Sequence, residues 1–94
     1  MKHHRKERIG SLIQEELGKI IQKEVEFDRA VVTIVDVSVS DDLEDAIVKL
    51  GVFPPEKGPD VLLGLVKARP RLQFLLHRKL NIRPMQKIIF QLAQ

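Results

Sequence analysis

The chain has 94 residues, 44% of them hydrophobic, which suits one domain over 1–94 with one modest core. It has no cysteine, so disulfides, thiolate metal sites and thiol redox chemistry are excluded. No apolar run approaches the ~18 residues of a membrane span, and the polar N-terminus has no signal-peptide core, so the expected setting is the cytoplasm, with no membrane partner.

The formal net charge of +3 conceals a segregation. Residues 1–8 carry four bases and one acid, residues 9–60 five bases and twelve acids, and residues 61–94 seven bases and no acid. Solubility alone does not need such sorting. A one-signed surface attracts a polyanion, and nucleic acid is the commonest.

Residues 1–6 are expected as a flexible basic arm, and Arg5, Lys6 and Arg8 there as phosphate contacts. Bases at a helix start oppose the helix dipole, a cost that helix stability does not explain. The spacing of Ile9, Leu12, Ile13, Leu17, Ile20 and Ile21 predicts an amphipathic helix over 5–25. After a polar connection at 26–30, the β-branched run Val31 to Val39 predicts a strand, with Val35, Val37 and Val39 on its buried face. The polar turn Ser40 to Asp45 and the alternation Ala46, Val48, Leu50, Val52 complete an antiparallel hairpin. Pro54-Pro55 ends it.

Gly58-Pro59-Asp60 reads as a helix start. Val61, Leu62, Leu65 and Val66 form one apolar face, and Leu72, Leu75, Leu76 and Leu80 another. Pro70 lies between them, so two helices meeting at a kink, Ala68-Arg69-Pro70, are expected. After the link at 81–86, Ile88, Phe90 and Leu92 predict a third strand. The expected architecture is α+β, in the order α-β-β-α-(kink)-α-β, with helices covering one face of a three-stranded sheet.

Catalysis has little support. No metalloprotease, nucleophile-elbow or P-loop motif occurs. Asp41, Asp42, Glu44 and Asp45 lack calcium-loop spacing and read as solvated turn formers. His77 falls opposite its helix's apolar stripe and is expected in water. No catalytic residue, metal ligand or cofactor is assigned. The four aromatics are all Phe, which argues against a module that stacks successive bases and for binding through phosphates and shape. One local pattern is sharper: Arg71, Phe74 and Arg78 share an outward helical stripe. There Phe74 is expected either to stack on one exposed base or on a protein partner, with the arginines on phosphates, or to pack under a loop or the N-terminal segment. The remaining candidate RNA-binding residues are Lys67, Arg69, Lys79, Arg83 and Lys87.

These residues resemble the ribosome-binding factor A family, bacterial small-subunit assembly factors. Arg8-Ile9 before the first helix is similar to that family's R-V start, and the stretch Thr33 to Leu43, around Val37, Ser40, Asp42 and Leu43, to its V-x-V-S-x-D-L. Ala46-x-Val48, Leu80-Asn81-Ile82-Arg83 and Ile88-x-Phe90 resemble its A-x-V, L-N-L-R and L-x-F. Gln73 and Gln86 stand where the family has an arginine and a proline. The resemblance implies a type II KH-like fold in which an A-x-G kink, here Ala68-Arg69-Pro70, replaces a G-x-x-G loop. It also implies a monomer that binds 16S rRNA within free 30S subunits, assists their maturation and rRNA 5′-end processing, and leaves before translation. Other assembly factors would be further partners, with no enzymatic activity and no cofactor. The alternatives are a protein–protein adaptor using the acidic hairpin or a sheet edge, and a small hydrolase using Asp41 or Asp42.

Overall fold

The computed structural model describes residues 4–93; residues 1–3 of the expected basic arm lie outside them. Helix α1 spans Arg5–Glu24, strand β1 Val31–Val39, strand β2 Asp45–Phe53, helix α2 Gly58–Leu80 and strand β3 Lys87–Leu92, with a 3-10 turn at Pro55–Lys57. The sheet order is β1-β2-β3. β1 and β2 are the expected antiparallel hairpin, running from Val31↔Phe53 to Val39↔Ala46. β3 lies parallel to β2, from Asp45↔Lys87 to Leu50↔Leu92, because α2 carries the chain back across the sheet before β3 begins.

The core lies between the helices and one sheet face. Ile9, Ile13, Leu17 and Ile21 of α1 and Val61, Leu65, Leu72 and Leu76 of α2 are buried against Val39, Ala46, Val48, Leu50, Ile88 and Phe90. Each of these side chains other than Ala46 contributes about 1.5–3 kcal/mol of burial. Gly10 is buried among them, and a Cβ there would lie 3.0 Å from the Val37 carbonyl oxygen, so the glycine sets how closely α1 approaches β1. Leu12, expected in the stripe, is instead 43% exposed.

Three further expectations are corrected. The segments expected as two helices meeting at Ala68-Arg69-Pro70 form one helix, and Pro70 lies inside it. Proline in a helix interior costs about 3 kcal/mol. Tertiary packing offsets that cost, because Val61, Leu65, half-buried Ala68, Leu72 and Leu76 form one apolar stripe across the proline, which is itself exposed. Val66, expected on that face, is exposed. Val35, expected inside, is 54% exposed because the β1–β2 register shifts between Ile34 and Asp36. The extra residue is a β-bulge, so Val32 and Ile34 face the core before it and Val37 and Val39 after it.

The ends of α2 match their sequence signals. Gly58, Pro59 and Asp60 open it. Asn81 closes it in the left-handed conformation (φ 52°), donating its N–H to the His77 carbonyl at 2.8 Å. The Phe53–Pro54 and Arg83–Pro84 peptide bonds are cis.

Candidate nucleic-acid interface

The acid-free second half folds into α2, the 81–86 link and β3, so its bases share one structural unit. Within it Lys67, Arg71, Arg78 and Lys79 are exposed along α2, and Arg83 and Lys87 are exposed around the link. Among the described residues, Arg71 alone of the seven bases of this half has a carboxylate within 4.0 Å: its Nε donates to Glu24 Oε1 of α1 at 2.8 Å. Phe74 is 60% exposed and outside the core cluster. On α2 it lies one turn after Arg71 and one before Arg78, so the outward stripe read from the sequence is present.

Arg69 behaves differently. It is half-buried, and its Nη1 reaches the Ile88 carbonyl at 3.4 Å, while Gln73 Oε1 accepts a hydrogen bond from the Ile88 N–H at 2.9 Å. One turn of α2 thus occupies both main-chain groups that Ile88 presents at the free edge of β3. Arg69 is turned to the sheet edge rather than outward with Lys67 and Arg71.

At the N-terminus Arg5 and Lys6 open α1. Arg5 Nη2 donates to the Arg83 carbonyl at 2.9 Å, which ties the start of α1 to the link before β3. Lys6 Nζ pairs with Asp41 Oδ1 at 2.5 Å, and that contact holds its ammonium above the usual lysine range. Lys6 is therefore spent on the acidic turn, whereas Arg8 is exposed and, among the described residues, has no carboxylate within 4.0 Å. The turn also satisfies itself: Ser40 Oγ donates to Asp42 Oδ1 at 2.7 Å and accepts the Asp45 N–H, and the Glu44 N–H also reaches Asp42 Oδ1. These bonds hold the Asp42 carboxyl below its ordinary range. Among the described residues no three His, Cys, Asp or Glu side chains are grouped to hold a metal ion, and no helix is long and apolar enough to cross a membrane.

Sequence reasoning missed three residues. His77, expected in water, is half-buried, with its Nε2 enclosed and, among the described residues, without a hydrogen-bond partner, because the link folds back over that side of α2. Burial pushes its imidazole down, against the opposing pull of a hydrogen bond to the Gln86 backbone. Gln86 is 1% exposed and donates from Nε2 to the carbonyls of Leu43 (2.9 Å) and Pro84 (2.7 Å). Leu43 is a non-glycine residue at φ 65°, so this bond anchors a strained turn. Lys23 of α1 was hidden in a net acidic segment, and folding sets it beside Arg78 and Lys79.

A three-stranded mixed sheet with two helices on one face, the second entering a parallel edge strand, defines a KH-like α+β protein. The chain belongs to the ribosome-binding factor A family, whose profile matches residues 5–94. It is 30% identical over 88 residues to ribosome-binding factor A of Akkermansia muciniphila, covering 94% of this chain and 70% of that one. With the Flavobacterium johnsoniae protein of the same name it shares 33% identity over 95 residues, covering 96% and 73%. The crystal structure of ribosome-binding factor A from Thermus thermophilus superposes with a TM-score of 0.79 at 25% identity over 92% of this chain and 93% of that one. A homology model of the T. thermophilus protein, as fitted into a cryo-EM map of a 30S–RbfA complex, gives 0.74 at 27% identity, over 86% and 87%.

Proposed function

We propose that this chain docks on the 16S rRNA of the free 30S subunit and assists its maturation and 5′-end processing by binding, without catalysis or cofactor. One observation carries the reading: seven bases and no acid in the second half, six of the seven exposed along α2 and around the adjoining link, and among the described residues only Arg71 paired with a carboxylate. A fold that leaves these cations unneutralised suits a phosphate backbone, whose counterions are released on contact. The family name and the 30S complex of the T. thermophilus relative support the choice of polyanion. Such a partner places the protein in the cytoplasm, where the subunits assemble.

The test is co-sedimentation with free small subunits and with joined ribosomes. Enrichment on free small subunits is expected; enrichment on joined ribosomes alone, or on neither, overturns the reading. With about six phosphates contacted, affinity falls by roughly 10³ between 50 and 200 mM salt. A salt-independent interaction would instead favour the adaptor reading.

A further inference from the structure

α1 and α2 do not close completely on their outer side. Between them lies a cleft of about 470 Å³ with Ile20 and Leu75 in its lining and Lys19, Lys23, Arg78 and Lys79 around it. Two acids, Glu16 and Glu24, complete the lining, and both are engaged: Glu16 with Lys19 at 3.6 Å and Glu24 with Arg71 at 2.8 Å. Among the described residues, Lys23, Arg78 and Lys79 have no carboxylate within 4.0 Å. Three free cations thus converge from two helices on one apolar-based cleft, and Phe74, 60% exposed, stands one helical turn before Arg78.

We propose that this cleft seats a single RNA strand, with its phosphates on Lys23, Arg78 and Lys79 and one unpaired base stacked on Phe74. The inference rests on the RNA-docking reading and deepens it, because it places the strand on the outer helical surface and specifies a bulged or looped nucleotide. The chemistry follows from the parts. An arginine fork and two ammonium groups fit phosphate oxygens. The apolar base of the cleft suits the ribose and carries no hydrogen-bond donors that would read a sequence. An exposed aromatic accepts any base face, but only of a base free of its duplex stack. Arg71, held by Glu24, is thereby withdrawn from the phosphates, and α1 supplies Lys23 in its place.

The experiment uses two RNA hairpins of equal length, one fully paired and one with a single-nucleotide bulge, titrated by fluorescence anisotropy. The variants are Phe74→Ala, the pair Lys23→Gln with Lys79→Gln, and a control of equal charge loss elsewhere, Lys49→Gln with Lys57→Gln. All five positions are at the surface, and thermal melts confirm that each variant folds. The expected result has three parts. Wild type prefers the bulged hairpin, Phe74→Ala loses about tenfold on that hairpin alone, and the Lys23/Lys79 pair weakens both and flattens the log–log salt slope by about 1.4. Equal hairpin affinities for wild type and Phe74→Ala, or a Lys23/Lys79 effect no larger than the control, overturn the cleft assignment while steep salt dependence of the wild type keeps RNA docking intact. A wild type that binds neither hairpin nor the free subunit overturns both.

Discussion

Glu24, in the last turn of α1, accepts a hydrogen bond from Arg71 of α2 at 2.8 Å, although 47 residues separate them. This contact joins the acidic and basic halves of the chain and removes one arginine from a row that, among the described residues, is otherwise without a carboxylate partner. Both side chains are partly exposed, so the pair contributes less than about 1 kcal/mol to stability. Its larger effect is on charge available for binding. Glu24→Gln should leave the melting temperature almost unchanged and release Arg71 as an additional phosphate contact. RNA affinity then rises, and the log–log salt slope steepens by about 0.7–0.9. An anisotropy titration at two salt concentrations checks this, and unchanged affinity would show that Arg71 lies off the RNA path.

The two glycines inside α1 should respond oppositely to alanine. At Gly10 a Cβ would lie 3.0 Å from the Val37 carbonyl oxygen, a backbone atom fixed in the sheet. Gly10→Ala must separate α1 from β1, and destabilisation of about 1–3 kcal/mol is expected. At Gly18 a Cβ would meet nothing within 4 Å, so Gly18→Ala gains helix propensity alone, about 0.5–1 kcal/mol. Chemical denaturation of the two variants decides the matter, and a stabilised Gly10→Ala would contradict the packing.

Gln86 and Gln73 both hold main-chain groups around the start of β3, and Gln86 also reaches the β1–β2 turn at Leu43. Gln86→Ala takes the amide from the Leu43 and Pro84 carbonyls inside a site that is 1% exposed, which should cost about 1–3 kcal/mol. Gln73→Ala leaves only one main-chain group, the N–H of buried Ile88, without its partner, against two carbonyls for Gln86→Ala, so a smaller loss of about 1 kcal/mol is expected. Denaturant midpoints should therefore order wild type, Gln73→Ala, Gln86→Ala, and the reverse order would show that Gln86 is not the stronger anchor.

Periodicity made most of the fold legible. The strand over Val31–Val39, the helix from Arg5 and the start of α2 at Gly58 are where β-branched runs, apolar spacing and Gly-Pro-Asp put them. What periodicity misjudged were effects of tertiary packing. Pro70 breaks an isolated helix but not one whose Leu65 and Leu72 are both pressed on the sheet. Val35 alternates correctly in the sequence and is expelled by a bulge that only strand pairing reveals. At the candidate site, the stripe of Arg71, Phe74 and Arg78 could be read on a helical wheel. The loss of Arg71 to Glu24, the inward turn of Arg69 and the arrival of Lys23 could not, because each depends on which element lies alongside α2.

The pH dependence of stability should carry the signature of His77. Burial of the imidazole holds it below the ordinary value of 6.5, and the hydrogen bond to the Gln86 backbone offsets this only in part. The unfolded chain then takes up a proton near pH 6.5, while the folded chain does so only at lower pH. Between those values the unfolded state binds more protons, so stability rises with pH and is lost as pH falls. Asp42 acts in the same direction but later. Its carboxylate is held below 3.8 by Ser40 Oγ and the Glu44 N–H, so its contribution is present above that value and disappears only as pH falls further. Acidification from pH 7 to pH 5 therefore isolates the histidine. The wild-type melting temperature should drop over that interval, and His77→Gln, which cannot be protonated there, should show a flatter curve. Parallel curves for the two proteins would show that His77 is not the group responsible.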